Sequence, residues 1–231
     1  MPFSEVFRDG AWRNWPGVRR VAGLLQPLGA EQLEALAAES QARTLQNFGR
    51  TIRLFAPLYL SNECVNICKY CGFSRDNPIL RLTLAPEQVA QEAGHLIRQG
   101  FRNLLLVAGE HPKFVSENYL QECVTRLRPL VPSIHLELGP METSQYAPLT
   151  AAGAEGLVVY QETYDRDVYA EMHVAGPKKD FDGRLDCAER GYAAGFRRLG
   201  VGALLGLADW RTEALALAAH LEHLLRVCWK A

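Results

Sequence analysis

The chain has 231 residues, with 25 basic against 26 acidic side chains and a formal net charge of −1. It has no block of like charge that would read as a nucleic-acid surface, and no apolar run near the ~20 residues that a membrane span needs. An apolar fraction of 48% supports a packed core in a single domain and rules out a disordered chain.

The first stretch, Met1-Pro2-Phe3-Ser4-Glu5, lacks the basic start and apolar segment of a secretory signal, so a soluble cytoplasmic protein is expected. Residues 1–51 read as a helical N-terminal extension. Leu33, Leu36 and Ala37 give an amphipathic helix near 30–46, and Trp12 and Trp15 are expected to anchor the extension to the main body. From residue 52 to 231 the pattern alternates. Strand-like apolar runs occur at Leu58–Leu60, Leu104–Val107, Ile134–Leu138, Leu157–Tyr160 and Leu199–Leu205. Between and after them lie helical stripes: Val89, Ala93, Leu96 and Ile97; Leu120, Cys123, Val124 and Leu127; Leu217, Leu221, Leu224, Leu225 and Cys228. Pro86 and Glu87 suit a first helical turn. Gly100, Gly153 and Gly195 stand where left-handed C-caps belong. This βαβα order implies a parallel sheet covered by helices. About five strand–helix units are present, too few for a closed eight-fold barrel, so an open α/β sheet or a partial (β/α) barrel is expected. The chain ends directly out of a helix, which reads as a fragment, a frameshifted product or one part of a split protein.

In a parallel α/β fold, functional groups collect at the C-terminal ends of strands. The first strand runs into Cys64-Val65-Asn66-Ile67-Cys68-Lys69-Tyr70-Cys71, a C-x3-C-x2-C loop. The second run ends at Ala108-Gly109-Glu110-His111, the third at Glu137, the fourth at Gln161-Glu162-Thr163-Tyr164, and the fifth at Gly202-Ala203-Leu204-Leu205-Gly206. Three thiolates in eight residues point to a soft metal centre. All-thiolate ligation by three cysteines suits a four-iron cluster with one iron left open for a small molecule. Zinc with a distant fourth ligand is the alternative. Cys123, Cys187 and Cys228 lie on helical stripes and read as small apolar core residues. His95, His220 and His223 read as helix-surface or packing residues, His111 as a weaker site candidate, and Lys178-Lys179 as a solvated loop pair, with approach to substrate as the alternative.

With these motifs in hand, the stretch from about residue 50 to 231 resembles the radical S-adenosylmethionine (SAM) enzymes. The cysteine loop after the first strand is that family's signature for a [4Fe-4S] cluster held by Cys64, Cys68 and Cys71. The resemblance implies SAM as second cofactor. Tyr70 would approach its adenine, Gly109 and Glu110 would meet its ammonium, and Arg184 would bind its carboxylate. Leu204 or Leu205 would pack near the adenine, with Glu162 and Tyr164 lining the pocket.

Leu54-Phe55-Ala56-Pro57-Leu58-Tyr59-Leu60-Ser61-Asn62, Cys71-Gly72-Phe73, Val159-Tyr160-Gln161-Glu162-Thr163-Tyr164 and Gly176-Pro177-Lys178-Lys179-Asp180-Phe181 are similar to the tyrosine lyase subgroup. That likeness implies cleavage of the Cα–Cβ bond of L-tyrosine to 2-iminoacetate and p-cresol for thiamine thiazole formation. Thiazole synthase would take the product, and a flavodoxin or ferredoxin would supply electrons. The alternatives are a tyrosine lyase of the hydrogenase-maturation type, another radical SAM reaction, and a non-catalytic iron–sulfur or metal-binding remnant. The family's sixth strand and C-terminal segment have no counterpart in this sequence, which bears most directly on how substrate is held.

Overall fold

A computed structural model describes residues 1–228. Three helices come first: α1 (Phe3–Asp9), α2 (Pro16–Leu24) and α3 (Ala30–Phe48). Strand β1 (Phe55–Ser61) follows, then the short β2 (Ile67–Cys68), α4 (Pro86–Arg98), β3 (Asn103–Ala108), α5 (Glu117–Leu127), β4 (Ser133–Glu137), α6 (Thr143–Ala152) and β5 (Gly156–Val158). The rest comprises α7 (Arg166–Met172), β6 (His173–Ala175), α8 (Phe181–Leu185), α9 (Cys187–Ala193), β7 (Arg198–Gly200) and α10 (Trp210–Val227).

Five strands form one open, all-parallel sheet in the order β1-β3-β4-β5-β7, so β1 and β7 are its edges. Side chains alternate across β1. Ala56, Leu58 and Leu60 are buried, while Phe55 and Tyr59 face the other way and stay more than half exposed. The buried set joins Val89 and Ala93 of α4, Leu120, Cys123 and Val124 of α5, and Tyr146 and Leu149 of α6 in the main core. Helices cover the sheet on this face, while Tyr59, Val107, Glu137, Val158 and Tyr160 wall a cavity on the other.

Gly100, Gly153 and Gly195 have φ of 100°, 117° and 113°, the left-handed turn that releases each helix towards the next strand. The fifth strand is shorter than its apolar run suggests. Its continuous ladder runs over Arg198–Gly200, and beyond it Gly202 O accepts from Gln161 N–H at 3.0 Å and Ala203 bridges to Glu162. Cys123 and Cys187 sit in the main core as expected, while Cys228 is only partly buried.

The N-terminal segment docks through α1 and α2. Phe3 and Trp12 are buried in a second core with Tyr164, Tyr169 and Phe181, and Trp15 packs on its edge. The backbone N–H groups of Phe3 and Ser4 donate to Glu189 and Asp186 at 2.9 and 2.7 Å, and that of Gly17 donates to Glu222 at 3.0 Å. Helix α3 buries no residue. Among the described residues no helix is long and apolar enough to cross a membrane.

Candidate functional site

Backbone and side-chain hydrogen bonds shape the cysteine loop. Cys71 N–H donates to the Cys68 carbonyl at 3.2 Å, and Cys68 N–H donates to Ser74 Oγ at 3.1 Å. Arg81 threads the loop and donates to the carbonyls of Asn62, Phe73 and Ser74 at 2.6, 2.9 and 2.6 Å. Strand β2, carrying Cys68, pairs antiparallel with β6. That short ribbon lay outside the sequence reading, because two- and three-residue strands leave no periodic signal.

The second strand end locks onto this loop. Gly109 N–H donates to Ser61 O at 3.0 Å, and Val65 N–H donates to Glu110 O at 2.8 Å. A Cβ on residue 109 would lie 2.3 Å from the Glu63 carbonyl oxygen, so only glycine fits here.

All three cysteines wall one cavity of about 320 Å³, together with Tyr70, Glu110, Glu162, Lys178 and Arg184. A second cavity of about 390 Å³ adjoins it, lined by His111, Met141, Glu142, Gln145, Asp180 and Arg190. Gly109, Glu110, Lys178 and Arg184 line both. Two N–H donors aim at cysteine sulfurs: Asn66 Nδ2 lies 3.6 Å from Cys64 Sγ, and Phe73 N lies 3.4 Å from Cys71 Sγ. With nothing bound, burial pushes the Cys68 thiol up to about 11. A metal that replaces the proton relieves that cost. Among the described residues no three His, Cys, Asp or Glu side chains converge on a single-ion site. Three soft thiolates spread around one cavity, with N–H donors behind two of them, fit a polynuclear iron–sulfur cluster.

Beside the cysteines sits a neutral square of charges. Arg184 is buried; its Nε donates to Tyr160 O at 2.7 Å and its Nη1 to Glu110 Oε1 at 3.3 Å, with Nη2 3.6 Å from Glu162 Oε1. Burial works against its charge, but Glu110 and Glu162 more than offset this and hold its pKa above the ordinary arginine value. Lys178 Nζ donates to Glu162 Oε1 at 2.7 Å and stands 5.6 Å over the Tyr70 ring. The expectation of a solvated Lys178 is therefore corrected: its side chain is only 12% exposed, drawn inward by Glu162. Glu137 joins the same cavity, its carboxyl pKa raised by burial and by Glu162.

Tyr70 is held from behind. His173 is fully buried, and burial pushes its pKa down to about 4, so the ring is neutral at neutral pH. Its Nδ1 donates to Tyr169 O at 2.8 Å, which leaves Nε2 to accept from the Tyr70 hydroxyl, also at 2.8 Å.

Three other expected site residues fall outside both cavities. Tyr164 is buried in the second core, its hydroxyl 2.9 Å from His220 Nδ1. Its backbone N–H donates to Glu213 Oε2 at 2.9 Å. Leu204 and Leu205 stand on an open rim, 40% and 76% exposed, because β7 has already ended. Asn66, Arg81, Lys178, His173 and Tyr160 are the site residues that sequence reasoning passed over or set aside. For Asn66 the available signal was its place between two of the cysteines.

The sequence comparisons agree with this architecture. The radical SAM superfamily model matches residues 58–217. The chain is 42% identical over 209 residues to 2-iminoacetate synthase of Escherichia coli K12, covering 90% of this chain and 55% of that protein. Among solved structures, the FeFe-hydrogenase maturase HydG from Carboxydothermus hydrogenoformans superposes with a TM-score of 0.85 at 31% identity, covering 96% of this chain and 53% of that one. Methylornithine synthase (PylB) gives a TM-score of 0.75 at 25% identity, covering 91% and 62%. The chain thus spans about half the length of the curated relatives it matches.

Proposed function

The chain belongs to the radical SAM superfamily, and we propose that it is the cofactor-binding half of a tyrosine lyase of the 2-iminoacetate synthase type. The observation that carries this reading is the Glu110–Arg184 pair, set at the wall of the one cavity that Cys64, Cys68 and Cys71 share. When bound, the two cofactors would supply radical chemistry for abstracting a hydrogen atom from substrate. Everything else falls to the chain's own residues.

Cys64, Cys68 and Cys71 would hold the iron–sulfur cluster. Glu110 would receive the SAM ammonium, and the planar fork of Arg184 would take the carboxylate. A zwitterion entering a site of two acids and two bases exchanges partners without leaving a net charge. Tyr70, fixed by His173, offers a flat face for adenine. The sheet face with Tyr59, Val107, Val158 and Tyr160 supplies an apolar and aromatic surface that suits the ring of L-tyrosine. The product, 2-iminoacetate, would pass to a thiazole synthase, and a flavodoxin or ferredoxin would reduce the cluster.

The test is anaerobic reconstitution with iron and sulfide, followed by reductant, SAM and tyrosine. Formation of 5′-deoxyadenosine and p-cresol supports the reading. 5′-Deoxyadenosine without p-cresol would mark this chain as the cofactor half alone. If the cluster loads and SAM binds but neither product forms, the chain is a non-catalytic iron–sulfur remnant. The fit to HydG supports a second reading, in which cyanide and carbon monoxide would also be formed.

A further inference from the structure

Asn66 is 1% exposed and sits between the first two cysteines of the loop. Its side chain makes three contacts at once. Nδ2 lies 3.6 Å from Cys64 Sγ and 2.9 Å from Glu110 Oε2, while Oδ1 accepts the backbone N–H of Lys178 at 2.9 Å. Chemistry fixes the amide orientation. Only the carbonyl oxygen can take the Lys178 N–H, and only an N–H₂ group can face a carboxylate and a thiolate together. An amide nitrogen carries two hydrogens, so both donations can be made at once.

The surroundings leave the amide no other position. Gly176 packs over it at φ 92°, and a Cβ there would lie 2.4 Å from Asn66 Oδ1 and 2.8 Å from its Cα. The Gly176-Pro177-Lys178 turn, part of a string singled out in the sequence, therefore closes as a clasp over Asn66. It also delivers Lys178 to Glu162.

Resting on the radical SAM reading, we propose that Asn66 is a positioning residue that couples the redox potential of the cluster to SAM binding. Its N–H towards Cys64 withdraws negative charge from a ligand sulfur. That stabilises the reduced cluster and raises its potential, since hydrogen bonds to sulfur are among the groups that set it. Its second N–H holds the carboxylate expected to receive the SAM ammonium. When Glu110 turns to the ammonium, the amide is repolarised and its bond to Cys64 changes. The thermodynamic link runs both ways: if SAM shifts the potential, reduction shifts SAM affinity by the same factor.

The experiment is an EPR-monitored redox titration of the reconstituted 231-residue protein, with and without SAM, together with SAM affinity from equilibrium dialysis. It compares the parent with Asn66→Asp, Asn66→Ala and Glu110→Gln. Asn66→Asp keeps an oxygen for the Lys178 N–H, and Asn66→Ala removes both donors without adding charge. Both Asn66 variants should lower the SAM-free potential, by about tenfold in the oxidised-to-reduced ratio, or ~59 mV for one electron. Both should bind SAM roughly tenfold more weakly and lose most of the SAM-induced shift in potential. Glu110→Gln should also weaken SAM binding but move the potential upward, because it removes a negative charge near the cluster. The proposal is overturned if either Asn66 variant takes up a cluster of unchanged potential, or if the potential moves while the SAM-induced shift stays whole. It is equally overturned if both fold natively but fail to take up iron, which would reduce Asn66 to a structural part of the loop. Failure of the underlying reading looks different: the parent itself would show no SAM-dependent EPR change.

Discussion

Replacing Arg184 by glutamine tests the centre of the site. The guanidinium makes one full-strength bond, to Tyr160 O at 2.7 Å, a long one to Glu110 at 3.3 Å, and a purely electrostatic contact with Glu162 at 3.6 Å. A hydrogen bond from a charged donor contributes ~1.5–3 kcal/mol, and breaking a buried ion pair costs ~3–5 kcal/mol when the remaining charge is stranded. Here the stranding is partial. Glu162 keeps Lys178 at 2.7 Å, and Glu110 keeps Asn66 at 2.9 Å and remains 18% exposed. The expected loss is therefore near the lower limit, about 3 kcal/mol, which lowers Tm by ~6–12 °C for a domain of this size. Thermal melts followed by circular dichroism measure it. Adding Glu110→Gln should recover ~1–2 kcal/mol, because the surviving carboxylate is what makes the single change costly. A loss below ~1 kcal/mol, or strict additivity in the double variant, would show that the buried pair does not form. SAM binding should be lost in either background.

Three further outcomes follow from other parts of the structure. His220 is buried against Phe3, and burial, with His223 adding to it, pushes its pKa from 6.5 down to about 3. The unfolded chain therefore binds the extra proton first, so stability present above pH 6.5 is lost as the pH falls towards 3. His220→Gln should flatten denaturation midpoints between pH 7 and 4 by ~2–3 kcal/mol. Gly109→Ala forces a Cβ to 2.3 Å from Glu63 O and should both destabilise the fold by ~1–3 kcal/mol and reduce iron uptake on reconstitution, read by iron analysis. Glu213, buried in the first turn of α10, accepts from Thr163 Oγ1 at 2.6 Å and Tyr164 N at 2.9 Å. Glu213→Ala should cost ~2–3 kcal/mol in urea unfolding, with cluster loading unchanged.

How much of this was legible in the sequence depends on the length scale of each feature. Five strand starts and the glycine C-caps could be read, because apolar runs and left-handed turns are local signals. The cysteine loop, Gly109, Glu110 and Glu162 could be placed together because parallel strands deliver their C-terminal ends to one side, while Arg184, on helix α8, was reached only through the family resemblance. Helices α7, α8 and α9, of seven, five and seven residues, are too short to show a stripe. Tyr164 is only two residues from Glu162, but the chain turns between them and Tyr164 packs in the second core. Lys178 looked solvated because lysine usually is; a carboxylate 16 residues earlier in the chain draws it inward.

That turn also explains how Glu162 reaches its place. It is the one non-glycine among the described residues with positive φ, at 72°. A left-handed glutamate costs ~1 kcal/mol or more and persists only where its surroundings over-determine it. Here they do so from both sides. Glu162 bridges in parallel to Ala203, and its carbonyl accepts the Leu204 N–H at 2.7 Å. Its carboxylate is held by Lys178 and faced by Arg184. The backbone contact comes from the turn after β7, the last strand of the sheet, and the charge contacts come from the clasp over the cysteine loop. The open rim bearing Leu204 and Leu205 is thus joined to the cysteine-lined cavity through Glu162.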